Sequence, residues 1–385
     1  MSFAFESADN FWLYVCAPVL VAFISLPIMR LFSSKNHFPV NGRTVVITGG
    51  SQGMGRALGK LLAQKGANVF IVARDVGKLE AAVEYISAAA QDPQSQRFHY
   101  ISADLTHSSE NIRIIDEITT WNNGSPPDVV WANAGMSTPQ LFIETPIETL
   151  RSQMEINYWA ATYLAHATLK KWLQPLISPP SSSDTKATIT SSSSPSLPRH
   201  FIFTGSSVCY VGVAGYAPYA PAKAAMRSLC DTLRSELNLY TGAIASARKS
   251  SPSSSSASSI PPEIKIHTIT PGTISTPGNL YENKSKHPIT HILEEGDPVQ
   301  SEDEVARVAI KALEKGHYLA STQFLGEAMR VSALGGSPRN GVVGVRDVLF
   351  GWVCAVAWLV VGPDMERKVW RWGFEHGVEG KAGTA

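Results

Sequence analysis

The chain has 385 residues, 44% of them hydrophobic and 17% charged, enough to bury one large core with appendages. Thirty-three Lys and Arg against 32 Asp and Glu leave a net charge of +1, and no basic stripe interleaved with aromatics occurs, which removes nucleic acid as a partner. The four cysteines, Cys16, Cys209, Cys230 and Cys354, have neither metal-ligand spacing nor a paired pattern, so no metal site is predicted and the thiols read as buried and reduced.

Residues 11–29 form a run of nineteen without a charge, close to the ~20 that cross a bilayer as a helix. Pro18 and Pro27 kink such a helix without forbidding it. A cleaved signal peptide is the rival reading, but Glu6 and Asp9 stand where its basic region belongs, and no small-residue cleavage site precedes Arg30. The predicted division is a membrane anchor at 1–40, a catalytic domain at 41–335 and a membrane-associated region at 336–385. Acids precede the anchor while Arg30, Lys35 and Arg43 follow it, so the positive-inside rule places the domain in the cytosol.

The stretch TVVITGGSQGMG at residues 44–55 reads as strand, tight turn and helix, since Ala57, Leu58, Leu61 and Leu62 follow at helical spacing. Glycines at 49, 53 and 55 let the turn take positive φ and let backbone N–H groups and a helix N-terminus approach a pyrophosphate. A second strand at 68–73 ends at Arg74, where nucleotide-binding folds that take NAD commonly carry an acid for the ribose hydroxyl. The guanidinium instead offers a charge-assisted fork to a ribose 2′-phosphate, which favours the phosphorylated cofactor. A solvated arginine opening the next helix is the alternative.

Further strands are predicted near 98–103, ending in Asp104 and Leu105, and at 128–131, ending in Asn133-Ala134-Gly135, with a helix near 111–121 between them. Strands alternating with helices imply a doubly wound parallel sheet of Rossmann type with ligands at the strands' carboxyl ends. Asn157 sits among apolar neighbours in a long helix predicted at 153–173, where it satisfies backbone, holds a water or marks a kink. Two inserts rich in Ser and Pro, 178–198 and roughly 243–262, are expected to be disordered. Each joins a helix to the following strand (201–204, then 265–270), which puts both at the edge away from the ligand.

Tyr219 and Lys223 are four apart and so share one face of a helix running through Met226 and Leu233. An ammonium and a nicotinamide cation beside a phenol favour phenolate, giving a phenol of ordinary pKa ~10 a way to serve as acid-base catalyst near neutrality. Tyr216 lacks such a partner, because position 220 is Ala.

With these residues in hand, the chain resembles the short-chain dehydrogenase/reductase family from about residue 42 to 327. The likeness rests on TGGSQGMG, Asn133-Ala134-Gly135, Asn157, a strand-end serine, Tyr219 with Lys223, and Pro271-Gly272, in order. The resemblance implies Tyr219 as general acid in carbonyl reduction, Lys223 on the nicotinamide ribose, and Asn157 positioning a relay water. The carbonyl-polarising serine falls thirteen residues before the tyrosine, at Ser206, with Ser207 adjacent. It also implies cofactor contacts from Gly49, Ser51, Gln52, Gly53, Gly55, Arg74, Lys78, Asp104, Leu105, Asn133, Tyr219, Lys223, Pro271 and Thr273.

Within that family the details are closest to the reductases of 3-ketosphinganine, endoplasmic-reticulum membrane proteins that use NADPH. The shared features are the anchor, Arg74, Ile156-Asn157-Tyr158, Thr276-Pro277-Gly278, Glu282-Asn283-Lys284 and an apolar tail. This implies a long-chain 3-keto sphingoid base as substrate and the lipid bilayer as partner, and it is compatible with a homo-oligomer. A reductase of another hydrophobic ketone, such as a steroid or retinoid, is the nearest alternative, and a cofactor-binding scaffold without turnover predicts a broken catalytic set. Residues 273 to about 298 are expected to cover the site as a lid. The apolar stretch 348–361 is fourteen residues long and bounded by Asp347 and Gly362-Pro363-Asp364. At that length an interfacial or re-entrant segment is expected rather than a span, with a buried core helix as the alternative.

Overall fold

In the computed structural model, which describes residues 35–177, 197–250, 261–341 and 344–377, the apolar runs form one parallel sheet. In chain order β1 (Thr44–Thr48), α1 (Gly53–Ala63), β2 (Asn68–Ala73), α2 (Val76–Ser87), β3 (Phe98–Ser102), α3 (Ser108–Trp121) and β4 (Val129–Ala132) make the first half. The second half runs through α4 (Ile147–Met154), a π-helical turn (Glu155–Trp159), α5 (Ala160–Ile177), β5 (Arg199–Thr204), α6 (Ala220–Ser250) and β6 (Ile264–Thr270). A small excursion follows, β7 (Ile274–Ser275), α7 (Pro277–Glu282), α8 (Pro288–Leu293) and β8 (Gln300–Ser301), before α9 (Glu302–Glu314), β9 (Leu319–Ser321), α10 (Phe324–Ser332) and α11 (Val345–His376). The sheet order β3-β2-β1-β4-β5-β6-β9 reverses between β1 and β4, which opens a crevice at their carboxyl ends.

The alternation of side chains along each strand builds two cores. Val46, Phe70, Val130, Phe201 and Phe203 pack on one face against Ile114, Ile118, Leu164, Trp172 and Met226. Val45, Ile47, Ile71, Trp131 and Ile202 pack on the other against Leu58, Leu62, Leu79, Ile310 and Leu313. Burying each such side chain contributes about 1.5–3 kcal/mol, so the two-sided core fixes which strand ends meet at the site. At the opposite edge the buried Arg43 gathers the strand starts, donating to the carbonyls of Pro39, Asp128 and Pro198 at 3.2, 3.4 and 2.6 Å.

Two expectations change here, and one lies beyond the described residues. The predicted anchor at residues 11–29 lies outside the described residues, as do most of the first insert and half of the second. Of the second insert, residues 243–250 are helical: α6 continues to Ser250, with Ile244 buried against the body. The tail is neither a short re-entrant segment nor a core helix. α11 runs 32 residues through Gly362 and Pro363, is long and apolar enough to cross a membrane, with a mean hydropathy of 1.8 in its most apolar eighteen-residue window, and only 6% of that window is buried. Pro363 takes its own N–H out of the helical ladder and crowds the carbonyl four residues earlier, yet the helix continues past it, and Trp372 beyond it packs edge-on against His287. The N-terminus of α11 is held to α10 by Arg330 and Asp347, both buried, whose two bonds are 2.8 and 2.9 Å.

Candidate active site

The turn between β1 and α1 is shaped by its glycines in two ways. Gly49 and Gly53 have φ of +65° and +60°. Gly55 does not; a Cβ there would collide with the carbonyl oxygen of Gly49, so its smallness serves packing rather than backbone freedom. A Cβ on Gly49 would lie 2.9 Å from Cα of Ala134, which brings the β1 and β4 ends against each other. Gln52 precedes α1 without a side-chain cap, and the first turn carries no acid, so no side chain competes for its N–H groups. Ser51 stands half-buried in the same turn. This cradle fits a pyrophosphate.

Sequence reasoning did not find what locks the crevice. Thr48 Oγ1 accepts from the backbone N–H of Asn133 at 2.9 Å and of Ala134 at 3.1 Å, while Thr204 Oγ1 donates to Asn133 Oδ1 at 3.1 Å. Three strand ends are thereby tied through two threonines. The signal was present only as a threonine closing β1 and another closing β5, a residue type too common to single out.

Arg74 is exposed just after β2, and its guanidinium makes no hydrogen bond or ion pair among the described residues. It does not open α2: Asp75 does, accepting from the N–H of Lys78 at 3.0 Å. Asp104 follows β3, and its carboxyl is held below the ordinary value chiefly by bonds from Thr106, with Arg74 contributing. Leu105 is buried beside it. Lys78 stands apart, one turn into α2, exposed and 3.9 Å from Asp75. Pro271 and Thr273 close the other side; the Pro271 carbonyl accepts from Ser207 N–H at 3.0 Å, and that of Thr273 accepts from Gln300 N–H at 3.0 Å.

The polar residues of the second half converge. Tyr219 is half-buried at the start of α6 and Lys223 is 3% exposed within it. Lys223 Nζ donates to the Thr204 carbonyl at 3.0 Å and lies 5.5 Å from the Tyr219 ring centre. A Cβ on Gly135 would lie 2.7 Å from Asn157 Oδ1 and 3.4 Å from Lys223 Nζ, so these two groups share one hollow. Ser206, just past the end of β5, is near enough to the Tyr219 phenol to draw its pKa down, while Ser207 donates its N–H to the Pro271 carbonyl at 3.0 Å. Asn157 is fully buried in the π turn, where the ladder widens. Its Nδ2 donates to the Met136 carbonyl at 2.7 Å and to the Gln153 carbonyl at 3.0 Å, and its Oδ1 accepts from Met136 N–H at 3.2 Å.

The electrostatics of the two groups follow from burial. Burial first, and then the charge of Glu282, push the Tyr219 phenol above its ordinary value, against the bond from Ser206; it is held as phenol, not phenolate. Burial lowers Lys223 to about 8, and the hydrogen-bond partner it has there is a neutral carbonyl.

Tyr216, the tyrosine without a lysine, has a different post. It is 6% exposed, and its hydroxyl oxygen stands 2.7 Å from Glu282 Oε1 and 2.5 Å from Glu294 Oε1, two carboxylates that share its one proton. Those acids sit at the ends of α7 and α8, in the segment expected to cover the site. That segment is rooted by the short parallel pair β7 and β8.

A family profile described as short chain dehydrogenase matches residues 43–192. A protein of Aspergillus fumigatus named 3-ketodihydrosphingosine reductase is 49% identical over 94% of this chain and 93% of its own length. The chain belongs to the short-chain dehydrogenase/reductase family. It is accordingly an oxidoreductase, and the family's nicotinamide cofactor is the group that the β1–α1 cradle fits. Similar proteins of the same printed name are found in Neurospora crassa, 39% identical over 97% of this chain and 94% of the relative, and in Cryptococcus neoformans, 32% identical over 88% and 84%. A solved short-chain dehydrogenase/reductase of Mycobacterium ulcerans shares the fold, with a TM-score of 0.54 and 18% identity over 74% of this chain and 89% of its own.

Proposed function

We propose that this short-chain oxidoreductase uses NADPH to reduce a long-chain 3-keto sphingoid base, 3-ketodihydrosphingosine, to dihydrosphingosine in sphingolipid biosynthesis. The observation that carries the chemistry is the Ser206–Tyr219–Lys223 arrangement at the carboxyl end of β5. The substrate is carried by likeness along almost the whole chain to relatives bearing that name. NADPH supplies a hydride to the ketone carbon. Tyr219, held as phenol, gives its proton to the developing alkoxide, and the Ser206 hydroxyl steadies the same oxygen. Lys223 keeps positive charge beside the phenol, and Asn157 lies in reach of Lys223 to pass a replacement proton through water. Arg74, unpaired at the mouth of the cradle, takes the 2′-phosphate that distinguishes NADPH from NADH.

The membrane arrangement belongs to the same reading. With the domain in the cytosol at the endoplasmic-reticulum surface, a ketone that partitions into lipid at ~0.8 kcal/mol per methylene is met without crossing water. The divisions at 1–40, 41–335 and 336–385 follow it: anchor, catalytic domain and membrane-associated tail. The deciding experiment follows NADPH oxidation by purified protein with 3-ketosphinganine, a steroid ketone and retinal in parallel. Turnover of 3-ketosphinganine alone or fastest is expected; preference for either other ketone transfers the reading to that class.

A further inference from the structure

The segment expected to cover the site is fastened next to Tyr219 by a neighbouring phenol. Tyr216 lies three residues before Tyr219, with ring centres 6.2 Å apart, so whatever Tyr216 grips is held next to the proton donor. Its hydroxyl bridges Glu282, the last residue of α7, and Glu294, the residue after α8. Lys286 completes the knot. Its side chain is 1% exposed, its Nζ stands 3.3 Å from Glu282 and 2.7 Å from Glu294, and it lies 5.7 Å from the Tyr216 ring centre. Thr290 adds a second fastening, donating to the Ala214 carbonyl at 2.9 Å, and Gly215 has no room for a Cβ because Thr290 fills it. The two helices are only six residues each and contribute few buried apolar side chains, Ile289 alone among their large ones. Hydrogen bonds to charged groups therefore carry most of the closure.

We propose that Tyr216 is the positioning residue of the substrate segment, clasping residues 277–294 over Tyr219 through its bonds to Glu282 and Glu294. The bond to Glu282 also sets where that carboxylate stands relative to the Tyr219 phenol. The proposal deepens the ketone-reductase reading and rests on it for the identity of what is enclosed. The clasp itself is a claim about the chain alone.

The test uses the full-length protein in detergent and compares wild type, Tyr216→Phe and Glu294→Gln. Hydrogen–deuterium exchange reads the clasp without substrate: residues 277–294 exchange about tenfold faster or more in Tyr216→Phe, while β1, β4 and β5 are unchanged. Steady-state kinetics read the positioning: the KM for 3-ketosphinganine rises about tenfold, kcat stays within about twofold, and the Kd for NADPH does not move. Unchanged exchange across 277–294 in Tyr216→Phe overturns the assignment, and so does an equal loss in NADPH affinity and in KM. Should Tyr216→Phe also loosen the sheet, Glu294→Gln removes one carboxylate from the same hydroxyl, and wild-type exchange in that variant overturns the clasp. A wild-type enzyme that reduces no 3-ketosphinganine sinks the functional reading and leaves the exchange comparison to decide the clasp.

Discussion

Lys223 supplies a prediction in which activity and stability move in opposite directions with pH. Its ammonium is buried, bonded to a neutral carbonyl, and burial lowers its pKa from 10.5 to about 8. The neighbouring candidates titrate elsewhere: burial pushes Tyr219 up and Cys209 up to about 11. With a pKa of about 8, roughly a tenth of Lys223 remains charged at pH 9 and about a hundredth at pH 10, so kcat/KM falls by about tenfold per unit above pH 8. For stability, the unfolded chain binds more protons than the folded one between about 8 and 10.5, so the cost of the buried ammonium is fully present below pH 8 and is relieved as pH rises. At ~1.36 kcal/mol per pKa unit the span from 8 to 10.5 corresponds to about 3 kcal/mol. The assay pairs a pH–rate profile from 6 to 10 with urea unfolding of the cofactor-free protein at the same values. Lys223→Met is expected to lose most turnover, to lack the alkaline limb in what remains, and to lack the alkaline gain in stability seen in wild type. A wild-type profile flat to pH 10, or an alkaline limb that survives in Lys223→Met, refutes the reasoning.

Tyr219→Phe keeps the ring and removes the proton donor; turnover is expected to drop by about 10²-fold or more with NADPH affinity little changed, measured by kinetics and fluorescence titration. Arg74→Ala is expected to weaken NADPH by about 1.5–3 kcal/mol and NADH far less, and equal losses in the two Kd values refute the role. His267, buried between His200 and the His317 carbonyl, is lowered to about 4 chiefly by burial. The unfolded chain takes up a proton near 6.5 that the folded chain refuses, so His267 costs stability as pH falls from 6.5 through about 4, by about 2 kcal/mol at pH 5 relative to pH 7; His200 and His317, also lowered by burial, add to the slope, and His267→Asn should make it shallower in urea unfolding. For orientation, the acceptor sequences at Asn123 and Asn283 should show no endoglycosidase shift when the protein is expressed in its own cell type, and protease added outside intact microsomes should digest the domain. A glycosylated Asn283 reverses the orientation.

What could be read ahead of the structure was what is local in the chain. The β1–α1 turn and the Tyr219/Lys223 pair are set by spacings of a few residues, and their backbone consequences follow directly. Asn157 was legible as an oddity in an apolar helix, though the π turn was not, because a one-residue widening leaves no mark in periodicity. The Thr48–Asn133–Thr204 lock spans 85 and 71 residues, and the clasp of Tyr216 spans 66 and 78, so neither has a local signature. Tyr216 was passed over for want of a lysine at 220, a sound rule for a proton donor that says nothing of a clasp. β7, β8 and β9 have two, two and three residues, too few for a period to declare itself. The tail was misjudged in length because Gly362-Pro363 reads as a stop, yet an exposed helix held at its beginning by Arg330–Asp347 and touched later by His287 absorbs one missing bond.

The way α11 leaves the body has a mechanical consequence. A doubly bonded, buried arginine–aspartate pair locks its first turn to α10, and a helix of 32 residues, about 4.8 nm at ~1.5 Å per residue, runs on from that joint. Where the rod enters a bilayer, the domain is mounted rather than tethered, with its height above the headgroups and its tilt set together. His287 of the substrate segment rests 6.3 Å from Trp372 on the same rod, so the mounting fixes which side of the molecule looks down. A molecule so mounted would keep one face toward the bilayer while it turned and drifted in the plane of the leaflet.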